Sequence, residues 1–330
     1  MVSTVNELYL ETRRTLRAAG VESPELEARL LLCHALGCSR EKLLERMQMY
    51  VPDSARSVLR DMTARRVAGE PVAYIIGEWE FYGMSLNISP DVLIPRPETE
   101  MLVREAVKIA SRLHRMRIPY GKEAPPVRAL DLCTGSGCIA WSLALSVPGT
   151  RVVGVDISEK MLEVAKAEST DEKITYLNMS MTDIENLGEK FDLIYSSLAF
   201  HYVEDFDSFA KVIFNCLNDG GQLLFSQEHP IITATVDGKG HFNKDKNGNR
   251  ISYTFSDYHR TGKRVITWYV DGVVKYHRTF SDIINALANA GFVIEQVVEP
   301  LPEQWAIEKL PTMAKEYIKP NFLIIKARKE

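Results

Sequence analysis

The stretch from Val127 to Ala140 constrains this chain more than any other. A short apolar run, Val127–Leu132, passes into Asp131-Leu132-Cys133-Thr134-Gly135-Ser136-Gly137 and then into a helical pattern. A strand that feeds a glycine turn and a helix returns to its own sheet by a right-handed crossover, so the chain is committed to parallel strands. Gly135 and Gly137 allow the tight turn and let backbone approach a ligand with no Cβ in the way. A glycine pair alone is a weak signal. It gains weight from Asp156, which ends the next apolar run about twenty residues on, where a carboxylate can accept both hydroxyls of a ribose. The third glycine of the dinucleotide fingerprint is replaced by Ala140. Asp131 would repel a pyrophosphate but suits the amino group of a methionine moiety. The cofactor expected is therefore S-adenosylmethionine (SAM), held by Asp131, Thr134, Gly135, Gly137, Asp156 and the neighbouring Ile157. In the plainer alternative, the glycines only turn the chain and Asp156 caps a helix.

The rest of the chain fits around that unit. Further short apolar runs at Arg151–Val155, Ile174–Leu177, Phe191–Tyr195 and Gln222–Phe225 alternate with helical patterns. Val293–Val298 and Phe322–Lys326 bring the strand count to seven. The expectation is an α/β, Rossmann-like fold with a mostly parallel seven-stranded sheet over residues 127–330. An insertion at about 230–278 holds a polar, glycine-rich tip from Asp237 to Asn249. It also holds a hairpin in which Val265–Val270 and Val273–Tyr276 flank Asp271-Gly272. A helix is expected from Ser281 to Ala290.

Residues 1–70 read as a small helical bundle. Ser23-Pro24-Glu25 gives a cap, a proline at the first helical position and an early acid, and Gly37 ends that helix. Ser39 and Asp53 are candidate caps for two more helices. Residues 71–126 hold a hairpin over Val72–Ile88, a helix from Pro95-Arg96-Pro97-Glu98 to about Leu113, and a linker from Ile118 to Pro126.

Composition removes several functions. The net charge is -4, and residues 1–126 carry 18 Lys/Arg against 17 Asp/Glu, leaving 22 against 27. No basic half exists, so a nucleic-acid partner is not expected. Arg112, Arg115, Arg117 and Lys122 read as a solvated helix end and linker. No run approaches the roughly 20 apolar residues of a membrane span. Glu7 and Glu11 stand where a signal peptide would be apolar. The five cysteines include no Cys-x-x-Cys pair; Cys33, Cys133 and Cys138 suit small buried thiols. A cytoplasmic location fits all of this. His241, His259 and His277 are too widely spaced for metal ligation, so no metal is expected.

Methyl transfer from a sulfonium is an in-line displacement that needs alignment more than acid–base machinery. Residues beyond the fourth strand, Ser196-Ser197-Leu198-Ala199-Phe200-His201-Tyr202, are placed to shape an acceptor site. Ser196 and Ser197 are candidates there, and His201 is a candidate base with a structural role as its alternative. Glu228-His229-Pro230 offers two further candidates; the plainer reading is a polar turn. Asp183, after the third strand, could accept from an adenine amino group or cap the helix that follows.

Gly69-Glu70-Pro71-Val72-Ala73-Tyr74-Ile75-Ile76-Gly77, Glu80-Phe81-Tyr82-Gly83 and Leu93-Ile94-Pro95-Arg96-Pro97-Glu98-Thr99-Glu100 resemble the release-factor glutamine methyltransferases of the HemK/PrmC type. The likeness covers residues 1 to about 157, including the glycine loop. It implies a helical domain that helps to grip a peptide chain release factor, and methylation of a glutamine side-chain amide by SAM. The second half departs from that pattern. The family carries Asn-Pro-Pro-Tyr after the fourth strand, where this chain has Ser196-Ser197-Leu198-Ala199. From about Ser158 onward the chain is similar to generic class I methyltransferases acting on small molecules, giving a hybrid with a seam near the second strand. The expected acceptor is a small molecule. The alternatives are a release-factor glutamine, or a non-catalytic module that binds SAM and a release factor.

Overall fold

In the computed structural model, residues 3–117, 125–268, 270–309 and 311–330 are described. Lys122, most of the Ile118–Pro126 linker and Tyr269 of the expected strand Val265–Val270 lie outside them. The chain divides into two compact units, Met1–Ile94 and Pro95–Glu330.

In the first unit, helices α1 (Val5–Ala18), α2 (Pro24–Leu36), α3 (Arg40–Glu45) and α4 (Asp53–Val67) bury one another's apolar faces. Leu8, Leu16, Leu31, Leu32, Leu59 and Met62 form the centre of that core. Thr4 and Glu7 close a capping box on α1, satisfying two of the backbone donors that a helix start leaves unpaired. Gly37 ends α2 in the left-handed conformation, but the Ser23 side chain makes no capping bond. Ser39 accepts from the Lys42 N–H as a cap should. Asp53 is not a cap. It is the first helical residue behind Pro52, where its charge suits the helix start and pairs with Arg56 at 2.5 Å.

The expected hairpin over Val72–Ile88 is only half strand. Residues Val72–Ile76 form a short helix, α5, between Pro71 and a left-handed Gly77 (φ 80°). Val72, Ala73 and Ile75 bury against the bundle, which favours a helical turn over an exposed strand. Strands β1 (Glu78–Phe81) and β2 (Met84–Asn87) then pair around Tyr82-Gly83. Both turn residues have positive φ, 50° and 76°, as a tight two-residue hairpin requires.

The second unit opens with α6 (Pro97–Met116), three residues longer than its sequence pattern suggested. Its elements continue as β3 (Val127–Leu132), α7 (Cys138–Ser146), β4 (Thr150–Asp156), α8 (Glu159–Glu168), β5 (Ile174–Asn178), β6 (Phe191–Ser197), α9 (Phe206–Cys216) and β7 (Leu217–Glu228). The insertion supplies α10 (Pro230–Thr233), β8 (His241–Lys244), β9 (Arg250–Thr254), β10 (Gly262–Trp268) and β11 (Val270–His277). The unit closes with α11 (Phe280–Ala290), β12 (Phe292–Val298), α12 (Gln304–Lys309) and β13 (Phe322–Lys329).

The main sheet has seven strands in the order β12-β13-β7-β6-β3-β4-β5. Pairs among β7, β6, β3, β4 and β5 are parallel; β13 runs antiparallel to both β7 and β12. The chain moves outward from β3 to β5 and then returns to place β6 on the other side of β3. The topological switch therefore lies between β3 and β6, whose carboxyl ends open the crevice in which such sheets bind ligands. Leu130, Leu132, Val155, Phe191, Ile194, Phe200, Phe225, Leu287 and Ile325 fill one contiguous core.

Two details depart from expectation. Trp268 pairs with Val270, so the β10–β11 reversal precedes Asp271-Gly272, which lie inside β11 beside a break in register. Arg117 is not a solvated helix end, although Arg112 and Arg115 are exposed. Its guanidinium forms a two-point pair with Asp192, which also accepts from the Arg128 N–H and Asn218 Nδ2, both at 2.8 Å. The five cysteines are free thiols. No helix among the described residues is long and apolar enough to cross a membrane.

Candidate cofactor and acceptor site

The β3–α7 loop is tied to β4 on two sides. The Thr134 N–H donates to the Val155 carbonyl at 3.0 Å. The Gly135 N–H donates to Asp156 Oδ2 at 2.9 Å, and Asp156 Oδ1 accepts the Ser158 N–H at 2.9 Å. Asp156 is thus the tether of the glycine loop. It does not cap α8, because Ser158 does. Each carboxylate oxygen still has a second lone pair for an incoming hydroxyl.

The two glycines have different reasons to be glycine. At Gly135 (φ 57°) an added Cβ would meet only the Met161 methyl, at 3.5 Å, so backbone there is open to a ligand. At Gly137 (φ 73°) a Cβ would come within 2.2 Å of the Tyr176 hydroxyl. Internal packing, and not ligand approach, excludes a side chain at that position.

Asp131 lies beneath the loop, 1% exposed. Thr134 Oγ1 donates to its Oδ2 at 2.7 Å, while Oδ1 has no partner among the described residues. Burial, reinforced by the nearby Asp156 charge, pushes its pKa up to about 7 against the opposing Thr134 bond. The Tyr195 hydroxyl and the Ala140 N–H also draw the Asp131 pKa down, though neither closes a full hydrogen bond to Oδ1. A buried carboxylate oxygen left short of a donor is a place that a cationic group would satisfy. On the other side of Asp156, the Ile157 side chain is 73% exposed, an apolar surface beside the Asp156 carboxylate. Asp183 is exposed in the 3-10 turn Met181–Leu187, whose cap is Ser180, so the capping role considered for Asp183 is filled by another residue. These groups fit SAM: a diol acceptor, an apolar face, an exposed carboxylate and an unsatisfied anion.

At the carboxyl end of β6 the expected acceptor residues separate. Ser196 is fully buried and its Oγ donates to the Leu132 carbonyl at 2.8 Å, which fastens β6 to β3. Ser197 is half-buried, 3.5 Å from Ser226 Oγ. Leu198 takes a positive φ of 55° and its N–H donates to the Ser226 carbonyl at 2.8 Å. Cys133, at the end of neighbouring β3, is also left-handed (φ 58°). Non-glycine residues adopt that conformation rarely and at a cost, and two stand at the switch point.

His201 is 4% exposed, and its Nδ1 accepts the Glu228 N–H at 3.4 Å. Burial pushes its pKa down to about 4, so the ring is neutral near pH 7, with its proton on Nε2. In this tautomer it donates instead of acting as a base. Glu228 pairs with the buried Lys275 of β11 at 2.5 Å. His229 caps α10, with Nδ1 accepting the Ile231 N–H at 3.2 Å and Nε2 lying 2.8 Å from Glu299. Lys275 and Glu299 were not singled out in the sequence. Lys275 looked like any alternating strand residue, but Glu299 had a usable signal: it directly follows β12, at the edge where ligands bind.

The PrmC N-terminal domain family matches residues 7–77, and a methyltransferase domain family matches residues 124–272. A release factor glutamine methyltransferase of Rhodopirellula baltica is 35% identical over 215 residues, covering 64% of this chain and 70% of that protein. The Bordetella pertussis protein of the same name is 40% identical over 184 residues, covering 55% and 64%. Among solved structures, a putative S-adenosylmethionine dependent methyltransferase of Listeria monocytogenes is 31% identical with a TM-score of 0.57, covering 68% of this chain and 98% of that one. A second such methyltransferase, from Mesorhizobium loti, is 34% identical with a TM-score of 0.56, covering 68% and 100%.

Proposed function

The chain belongs to the release factor glutamine methyltransferases, and from that premise we propose that it methylates a glutamine side-chain amide of a peptide chain release factor. It is a SAM-dependent methyltransferase. The observation that carries the release-factor reading is the PrmC N-terminal domain over residues 7–77, joined in one chain to the methyltransferase fold. That pairing favours a protein acceptor over the small molecule expected from residues 196–199.

Within this reading, SAM supplies an electrophilic methyl group, and the chain's own residues align it. Asp156 accepts the ribose hydroxyls while holding Gly135 in place. Ile157 covers one face of the adenine, and Asp183 accepts from its amino group. Asp131 Oδ1 takes the methionine ammonium as its missing donor. Thr134 keeps that carboxylate oriented. On the acceptor side, Ser197 Oγ is the half-buried acceptor available to an amide N–H. Ser196 and Leu198 fix the β6 end from which it projects. His201 and Glu228 bound the same edge, His201 as a donor. His229 acts through Glu299.

A small-molecule acceptor is the second reading. Ser196-Ser197-Leu198-Ala199 in place of Asn-Pro-Pro-Tyr favours it, since serine and leucine lack the carboxamide and the rigid backbone of that motif. Incubation with labelled SAM, purified release factors and a small-metabolite extract decides between the two. Label on the release-factor glutamine is the expected result. Label confined to the small-molecule fraction would replace the first reading by the second.

A further inference from the structure

Strand β7 ends at Glu228 and β12 at Val298, so His229 and Glu299 leave the sheet at one edge, the edge that carries the glycine loop. With Ile231, Phe255, Tyr258 and Phe280 they line an open depression of about 470 Å3. The His229 ring is nearly buried, and its Nδ1 accepts a backbone N–H. A neutral ring in that tautomer carries its proton on Nε2 and donates it to Glu299 Oε1, 2.8 Å away. The contact therefore orients the carboxylate without cancelling its charge, and burial favours that neutral form by lowering the pKa of His229.

The Glu299 side chain remains 54% exposed. Phe255, Tyr258 and Phe280 line the depression with it. Phe255 is 39% exposed and meets Tyr258 in a T-shaped contact at 6.2 Å. The Tyr258 hydroxyl accepts the Phe280 N–H at 3.0 Å, which fixes that ring. No lysine or arginine is among the described lining residues. An oriented, half-exposed carboxylate that shares its lining with three aromatic residues and a neutral His229, with no lysine or arginine among the described lining residues, is complementary to a cation with an apolar shell.

We propose that this depression binds an organic ammonium group. The proposal rests on the geometry of the depression and not on the identity of the methyl acceptor. The ammonium could belong to a free amine or to a lysine side chain of a protein acceptor, since the recognising chemistry is shared.

The test is calorimetric titration of the full chain, without SAM and at constant ionic strength, with three probes. These are choline, Nα-acetyl-lysine methylamide, and 3,3-dimethylbutan-1-ol as the neutral counterpart of choline. The expected result is binding of at least one cation about tenfold or more tightly than the neutral alcohol. Choline binding alone assigns the site to free amines, and lysine-amide binding alone assigns it to a side chain. Glu299→Gln keeps an oxygen for His229 and removes only the charge, so it should cost the bound cation about tenfold. Phe255→Leu should weaken cation binding while the melting temperature stays near that of the parent. Equal binding of the neutral alcohol, no binding of either cation, or unchanged affinity in Glu299→Gln overturns the proposal. Because methyl transfer is not read, a failed release-factor assay leaves this result intact.

Discussion

Asp156 does two jobs that a substitution can separate. Its Oδ2 holds the Gly135 N–H and its Oδ1 holds the Ser158 N–H, both at 2.9 Å, before any ribose arrives. Asp156→Ala should weaken SAM binding by about 1.5–3 kcal/mol, since charge-assisted bonds are lost together with the loop tether. Titration calorimetry against SAM checks this, and unchanged affinity would end the cofactor assignment. Asp131 makes a different prediction. Its folded pKa is raised to about 7, so the folded chain holds that proton more tightly than the unfolded chain does. The stability tied to that proton is fully present below the ordinary carboxylate pKa and is lost as pH rises through about 7. An ammonium beside Asp131 favours the ionised form, so SAM affinity should rise from pH 6 to pH 8, with proton release on binding. Asp131→Asn should abolish that dependence. His201, neutral down to about pH 4, contributes no inflection in the range. Calorimetry in buffers of differing ionisation enthalpy counts the protons, and a flat affinity would exclude Asp131 as the ammonium partner.

Among the elements, what was legible followed local rules. β3 has the bounds that its apolar run suggests, because a strand buried on both faces writes itself as a continuous hydrophobic stretch. α5 was misread for a tertiary reason: Val72 and Ile75 are β-branched, yet burial against the bundle overrides that preference. Gly137 was legible as glycine but not as the glycine that makes room for Tyr176, which lies 39 positions away in sequence. The acceptor candidates met the same limit. Whether a histidine after a strand is a base depends on which nitrogen the fold occupies, and Glu228 and Ile231 settle that at His201 and His229. The β3–β6 junction shows the long-range part most plainly. Burial alone would raise the Asp192 pKa, but Arg117, the Arg128 N–H and Asn218 hold it below the usual carboxylate range. Such a group stabilises the fold above its unfolded pKa, and that contribution is lost as pH falls through the lower folded value. Arg117→Ala should cost about 2 kcal/mol at pH 7, because it leaves a buried carboxylate short of its cation. Urea unfolding at pH 7 and again at pH 3 tests this. The penalty should shrink in acid, and an equal penalty at both values would mean that Arg117 acts through packing alone.

For the whole molecule, the question is whether a chain whose motifs suggest a seam near β4 melts as one sheet. The motifs shared with release-factor enzymes end at about residue 157, the end of β4. The Rhodopirellula baltica relative nevertheless aligns over 215 residues, and one methyltransferase domain family spans residues 124–272, so the family likeness crosses the expected seam. A junction there would leave its mark as gaps in the ladder or the core. β4 instead pairs in unbroken register with β3 from Val127↔Thr150 to Leu132↔Val155, and with β5 from Val152↔Ile174 to Asp156↔Asn178. Val152 and Val155 are at most 1% exposed, and Gly154 leaves just the space that Thr134 and Tyr176 occupy. A poorly matched core would have paid for its seam in cavities, each costing on the order of 1 kcal/mol or more. The prediction is that residues 95–330 unfold in one cooperative calorimetric transition. SAM at about a hundred times its dissociation constant should stabilise that transition by about 2.7 kcal/mol. The helical unit, which holds none of the proposed cofactor contacts, need not follow it. A transition that splits within the sheet, or one that SAM leaves in place, would show that β4 is a seam in stability although the family likeness crosses it.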